Sequence, residues 1–315
     1  MSIFSITLGA VAVLLLATVA GYFLRKSGAF TKNATTDLSK LLVYVSQPCL
    51  AVYTFMSTEY SVQKLIDVGI FALLVLGIHI IVMGAAYLIL RKRSENPIYR
   101  IMTVATTMSN CAFFGIPILE AMFPNEAPDL IIYTVVWAVV MNVIGWSIGS
   151  AIISRNIKYV SVKKMLVNPA LIGACVAMVL FVFEVPLATE APTLLSLITS
   201  AAKMSTPISM MVMGMRLAEM KLRDVFLDWR VYTTIAVKQF VMPLIAFLFI
   251  MVIPINVWLA RTFFVICACP VASVVLNYSE IVGAGQKEAA SMVLVGTISS
   301  IITLPIISLL IQFIV

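Results

Sequence analysis

Charge is what this sequence has least of. Asp, Glu, Lys and Arg together make up 11% of its 315 residues. A soluble domain carries roughly 25%. The shortage excludes a soluble enzyme, a disordered chain and a DNA-binding domain. Histidine is scarcer still, with His79 alone, so no cysteine has a zinc-binding histidine at ligand spacing. Cys49, Cys111, Cys175, Cys267 and Cys269 all lie inside apolar stretches, and neither a disulfide framework nor a metal site is expected. No cofactor is expected. The N-terminus does not read as a signal peptide: residues 1–24 have no basic lead, and Arg25 and Lys26 follow the apolar run.

What fills the chain is long apolar blocks. Hydrophobic residues reach 62%, and the mean hydropathy is +1.09. Crossing the hydrocarbon core takes about 20 consecutive, mostly apolar residues. The pattern predicts helices over 3–24, 34–56, 67–90, 98–123, 129–153, 167–183, 192–215, 231–252, 258–281 and 288–314. The expected fold is therefore an all-α membrane protein of ten transmembrane helices, with no room for a separate soluble domain.

The few charges are unevenly placed. Of 21 basic residues, 17 fall in or beside the odd-numbered linkers: Arg25, Lys26, Lys32, Lys40; Arg91, Lys92, Arg93, Arg100; Arg155, Lys158, Lys163, Lys164; Arg216, Lys221, Arg223, Arg230; and Lys287. The even-numbered linkers hold Lys64 with Glu59, Glu126, Asp129, Glu184 and Glu190. Positive charge marks the cytoplasmic side, which puts both termini outside in a multi-pass protein of the plasma (inner) membrane. The net charge of +7 is accounted for by this topology, and no nucleic-acid partner is expected.

The second half echoes the first at an offset of about 160 residues. LVYVSQPCLAVY with Pro48 corresponds to AAKMSTPISMMV with Pro207. RIMTVATTMSNCAFFGIPILE corresponds to RTFFVICACPVASVVLNYSE, pairing Arg100 with Arg261, Asn110 with Cys269 and Pro270, and Glu120 with Glu280. Five spans per half force the halves to enter the membrane from opposite sides. Residues 1–155 and 156–315 thus read as two inverted repeats, the signature of a secondary transporter. Each repeat has a helix expected to break: at NCAFFGIP, residues 110–117 in the fourth span, and at CPVASVVLN, residues 269–277 in the ninth. Unwound backbone inside a membrane must line a cavity or be buried in protein. Two helix N-termini meeting near the midplane would hold an anion such as a carboxylate.

These residues carry a family resemblance. The N-x-x-x-x-G-I-P of the fourth span, ACPVASVVLNYSE with KEAASMVLVGTISSIITLPI, and LVNPALIGACVAMVL with Asn168 and Pro169 resemble the auxin efflux carrier family over essentially the whole chain. The long cytoplasmic loop of many plant members is absent. The resemblance implies two inverted five-helix repeats, a scaffold part at 1–60 and 165–217, and a transport part at 65–153 and 228–315. It also implies crossing fourth and ninth helices, elevator-type alternating access, a homodimer, and small organic anions as substrates, from auxin to dicarboxylates.

At the first crossover the candidates are Asn110, Cys111, Ala112, Gly115 and Pro117; at the second, Cys269, Pro270, Val271 and Ala272. Asn110 either binds a substrate carboxylate through its amide or ties down freed backbone. Gly115 allows close backbone approach. Asn277 is a structural polar contact or a ligand. Lys203 either snorkels or faces an anionic substrate. Lys238, beside Gln239, is expected to snorkel to the cytoplasmic surface. His79 is a proton-coupling group or a histidine bonded to a neighbouring helix. Glu280 matches a family acid that could bind an ion or proton. Ser46, Gln47, Tyr53, Ser57, Tyr133, Asn142 and Ser205 are candidates to line the path. The reading is a secondary carrier of small organic anions, with a sodium ion or proton as possible co-substrate and lipid as its surroundings. The alternatives are a carrier of the bile acid–sodium symporter or sodium–proton antiporter type, and a lipid- or sterol-binding membrane sensor with a carrier fold. An enzyme is not expected, since no catalytic pair lies within a span.

Overall fold

The computed structural model describes residues 2–160, 166–220, 226 and 228–314. Lys163, Lys164, Lys221 and Arg223 of the charge count fall outside them. The described residues are helical, with one isolated two-residue bridge and no strand.

Helix α1 is Ile3–Lys26. Helices α2 (Lys32–Leu41) and α3 (Gln47–Met56) are joined by a wide π-turn, Leu42–Ser46. Then come α4 (Val62–Leu90), α5 (Pro97–Ala105), and a wide first turn, Cys111–Gly115, leading into α6 (Ile116–Met122). Helices α7 (Ala127–Ile144) and α8 (Ser150–Ser154) follow, and then α9 (Pro169–Val182). The short α10 (Leu187–Glu190) precedes α11 (Pro192–Lys203) and α12 (Ser205–Glu219). Last come α13 (Trp229–Ala236), α14 (Met242–Val252), α15 (Val257–Ala268), α16 (Val274–Val282) and α17 (Gln286–Ser308).

Short polar residues start many of these helices. Asn96, Asn168, Asp228 and Asn256 each accept, through a side-chain oxygen, the N–H two residues on. Pro97 and Pro169 come next, where a missing N–H costs nothing. Pro48 and Pro117 are different: each stands inside a helical run, directly after a wide turn, Leu42–Ser46 or Cys111–Gly115, where the helix continues at a wider winding instead of breaking.

Among the described residues, five helical stretches are long and apolar enough to cross a membrane: Ile3–Lys26, Val62–Arg93, Ala127–Ser154, Trp229–Val252 and Gln286–Phe313. Cys111–Met122, Pro169–Val182 and Val257–Ala268 are shorter apolar helices. The outer surface is apolar too: Val13 (66% exposed), Leu16 (67%) and Leu73 (69%) stand outward. Such a surface is stable only against lipid, so this is an integral, multi-pass membrane protein.

Small residues set the helix packing. α1 lies along α12. A side chain at Gly21 would strike the Met211 backbone, and one at Gly214 would strike the Thr18 carbonyl. Likewise α9 packs on α3 with Gly173 against Pro48. Close backbone approach of this kind takes the place of the hydrophobic drive that lipid removes. On the other side α4 packs on α7, and α17 carries α13 and α16.

The interruption in the fourth helical stretch lies at Thr106–Asn110, ahead of the segment expected to unwind; NCAFFGIP itself is mostly the wide turn and α6. In the ninth it lies at Cys269–Ser273. The two interruptions run antiparallel past each other. Asn110 donates its backbone N–H to the Pro270 carbonyl at 2.8 Å, and Ala272 donates to the Met108 carbonyl at 2.8 Å, pairing Ser109 with Val271. Thus each interrupted backbone finds its partners in the other, and neither is left bare in the apolar interior.

An arginine near the start of each interrupted helix makes the same kind of contact. Arg100 donates to the Ile153 carbonyl at 2.6 Å, and Arg261 donates to the Ile314 carbonyl at 3.0 and 3.2 Å; each pair spans fifty-three residues.

Candidate functional site

Four helix ends converge at the crossing. α5 and α15 arrive with their C-termini, where carbonyls lack intrahelical donors. At α5 threonine hydroxyls answer them: Thr106 donates to Thr103 O at 2.8 Å and Thr107 to Val104 O at 3.3 Å. At α15 the answer is a cation. Lys238 Nζ donates to Cys267 O at 2.7 Å and Cys269 O at 2.8 Å, with the residue 0% exposed. The ammonium also opposes the negative end of the helix. The expectation that Lys238 snorkels is therefore wrong. Its stem comes off the wide turn Val237–Val241, which faces α15 rather than lipid, and the carbonyls there outcompete the distant surface. Gln239 is turned inward as well, donating to Gly296 O at 2.7 Å and accepting from Ser299 and Thr303 at 2.9 Å.

The Cys111 turn and α16 leave the crossing with their N-termini. Between these starts lies a cavity of about 140 Å³, whose lining includes Ser109, Asn110, Cys111, Ala112, Ala272, Ser273 and Asn277. The first N–H groups of a helix have no intrahelical acceptor, and neither Asn110 nor Ser273 caps them with a side chain. Asn110 Nδ2 and Ser109 Oγ are buried without any hydrogen-bond partner. An unpaired buried donor costs about 1–3 kcal/mol, a cost that a bound acceptor would remove. The far wall comes from α2, the start of α3 and α12, through Ser39, Gln47, Ser209 and Arg216. Arg216 donates to Glu280 at 3.2 Å and to Ser39 Oγ at 3.5 Å. No Asp or Glu lines the cavity among the described residues.

The structure sorts the sequence candidates. Asn110, Cys111, Ala112, Ala272, Gln47, Asn142 and Asn277 line the cavity. Asn142 is already engaged, donating to Ala138 O at 2.7 Å and accepting from Asn168 at 3.3 Å and Tyr278 at 3.4 Å. Cys269, Pro270 and Val271 build the crossing from behind. Gly115 packs toward the Cys269 sulfur, and Pro117 opens α6. Several candidates lie elsewhere. Ser46 is buried in the π-turn, and Ser205 is buried and bonded to Ala202 O at 2.6 Å. Ser57 donates to Tyr53 O at 2.8 Å, and Lys203 stands 5.8 Å over the Tyr53 ring. Tyr133 stacks on Phe71 at 5.0 Å. His79 bonds Val75 O through Nδ1 at 2.7 Å within its own helix, with its ring 5.3 Å from Trp137 and Nε2 unpartnered. Glu280 lies outside the cavity wall and reaches it through Arg216. The sequence reading missed Arg216 and Ser109 as site groups. Arg216 had been counted as a topology charge; its position directly behind the apolar run 208–215, still inside the helix, is the signal that separates it from a linker arginine.

A multi-pass helical membrane protein with two interrupted helices crossing at a donor-lined cavity has the build of a transport protein. The sequence profile of a family described as membrane transport protein matches residues 6–160 and 151–308. The chain belongs to this family, the auxin efflux carriers, which is a family of transporters and not of enzymes. No curated protein matches the sequence.

Proposed function

We propose that the protein carries small organic anions, carboxylates above all, with the anion bound between the two helix starts at the crossing. The observation that carries this reading is the unpartnered amide of Asn110, 4% exposed. It stands in a cavity that also offers a hydroxyl, first-turn N–H groups and Arg216 but no carboxylate. Among the described residues the one full charge on the wall is the Arg216 guanidinium, already paired with Glu280 at 3.2 Å, and no carboxylate lines the cavity; this favours an anion over a sodium ion at the same place. The volume matches that of an engineered cavity that accepts a six-carbon ring, so mono- and dicarboxylates of a few carbons fit it.

The rest of the cycle follows from the same proposal. Ten spans form two inverted repeats, 1–155 and 156–315, and the matching contacts of Arg100 and Arg261 support that symmetry. Residues 1–60 and 165–217 form the scaffold, welded by its glycines; 65–153 and 228–315 move past it in an elevator motion. The cavity lies between wall residues of both parts, as such a motion requires. Both termini lie outside the plasma membrane, and the carrier works as a homodimer.

The test is a thermal-shift screen of mono- and dicarboxylates on purified protein, with and without sodium, followed by transport in proteoliposomes. Asn110→Ala should keep expression and fold and lose roughly tenfold or more in affinity, the worth of a hydrogen bond to a charged group. Unchanged transport by this variant would sink the assignment.

A further inference from the structure

A second, larger space lies away from the crossing. A groove of about 870 Å³ runs between α4, α5 and the α7–α8 stretch. Its walls are apolar, and several face outward, with Ile80 58% and Ile148 52% exposed. One end is different: Arg91, Arg100 and Arg155 all line it. Among the described residues the acid paired with them is Glu95, 2.7 Å from Arg155. Arg100 and Arg155 repel each other, and Arg100 Nε is buried without a partner. Arg155 is held in the left-handed region at φ 57°, a conformation that costs a residue with a side chain about 1 kcal/mol or more.

We propose that this groove binds a phospholipid with an anionic head group. The phosphate sits among Arg91, Arg100 and Arg155, and an acyl chain lies past Ile80, Gly84 and Ile148. Charge and shape select this occupant together. Three guanidinium groups against one carboxylate call for a compact anion with several acceptor oxygens. The apolar trough leading away from them, open toward the lipid-facing surface, calls for a hydrocarbon tail. The basic end belongs to the side that holds most of the lysine and arginine, the cytoplasmic side in the proposed topology, where anionic lipids concentrate. The site is separate from the crossover cavity and does not rest on which anion, if any, is carried there.

The experiment is native mass spectrometry of the purified protein with phosphatidylglycerol or phosphatidylcholine, beside thermal shifts with glycerol phosphate. Phosphatidylglycerol should be retained in preference to phosphatidylcholine. Arg91→Gln with Arg155→Asn should lower its retention by roughly tenfold or more; asparagine tolerates the left-handed backbone at 155. Gly84→Phe fills the trough where nothing lies within 4 Å of an added Cβ, and it should weaken the lipid while leaving any response to glycerol phosphate alone. Each variant's unliganded melting temperature serves as the folding control. Equal retention of both lipids, or full phosphatidylglycerol retention by the double arginine variant, overturns the proposal. So does a glycerol phosphate response as strong as the lipid's and indifferent to Gly84→Phe, which would make this a free-anion site.

Discussion

Replacing Lys238 by methionine removes an ammonium and leaves the rest of the side chain nearly unchanged in shape. In the native protein that ammonium donates to Cys267 O at 2.7 Å and Cys269 O at 2.8 Å in a fully buried setting. Hydrogen bonds to a charged group are worth about 1.5–3 kcal/mol each. Part of the loss is offset because methionine no longer buries a charge, a cost of several kcal/mol in itself. The two carbonyls, however, stay at the end of α15 with no water to turn to. A net destabilisation of roughly 2–4 kcal/mol follows. For a chain of this size the melting temperature should fall by about 3–6 °C. The consequence also reaches the cavity. Cys269 precedes Pro270, whose carbonyl receives Asn110 N–H; a loosened end of α15 displaces Asn110 and weakens anion binding. Thermal unfolding in detergent and the ligand thermal shift read the two effects separately. A methionine variant that melts within about 2 °C of wild type and binds ligand equally would refute the account.

Arg216→Gln should weaken anion binding about tenfold, by removing the positive charge from the cavity wall while leaving a shorter polar side chain; titration of the ligand thermal shift measures it. Gly214→Leu should abolish folded protein, since the new side chain meets the Thr18 carbonyl and the Tyr22 backbone, whereas Gly77→Leu meets nothing within 4 Å and should express normally; size-exclusion profiles decide it. A maleimide should label buried Cys267 and Cys269 only after unfolding, which peptide mass mapping can follow. Arg230, donating at 2.8 Å to both oxygens of Asp228, holds that carboxyl below its usual 3.8. Its contribution is therefore complete above the ordinary carboxylate pKa and lost as pH falls through the lower folded value. Asp228→Asn should flatten the acid end of the melting curve against pH.

Helix content and membrane class were legible because they rest on hydropathy, which acts on each residue separately. The interruptions were legible for a related reason: inside an apolar run, away from a helix start, Asn110 and Pro270 both weaken a helix locally. Their placement was less so. Pro117 draws the eye to 110–117, yet the wide turn Cys111–Gly115 carries the helix through to it, and the unwinding falls ahead at Thr106–Asn110. Lys238 was misread because sequence supplies its depth in the span but not the direction of its stem; a wide turn rotates it onto α15. Ser109 and Arg216 escaped notice for a common reason. Their roles depend on the distance between segments a hundred residues apart, and no local pattern encodes that distance.

The junction at Ser109 and Val271 is stitched by main-chain atoms alone. Pro270 supplies only a carbonyl, so its lack of an N–H costs nothing there, and Met108 likewise contributes through its backbone. Side chains at the seam are buried, so substitutions there are limited by their packing and not by the backbone bonds themselves. Relatives can change what they recognise by altering the neighbouring positions while inheriting the same knot of backbone, and a designer wishing to retune the cargo can leave the seam untouched.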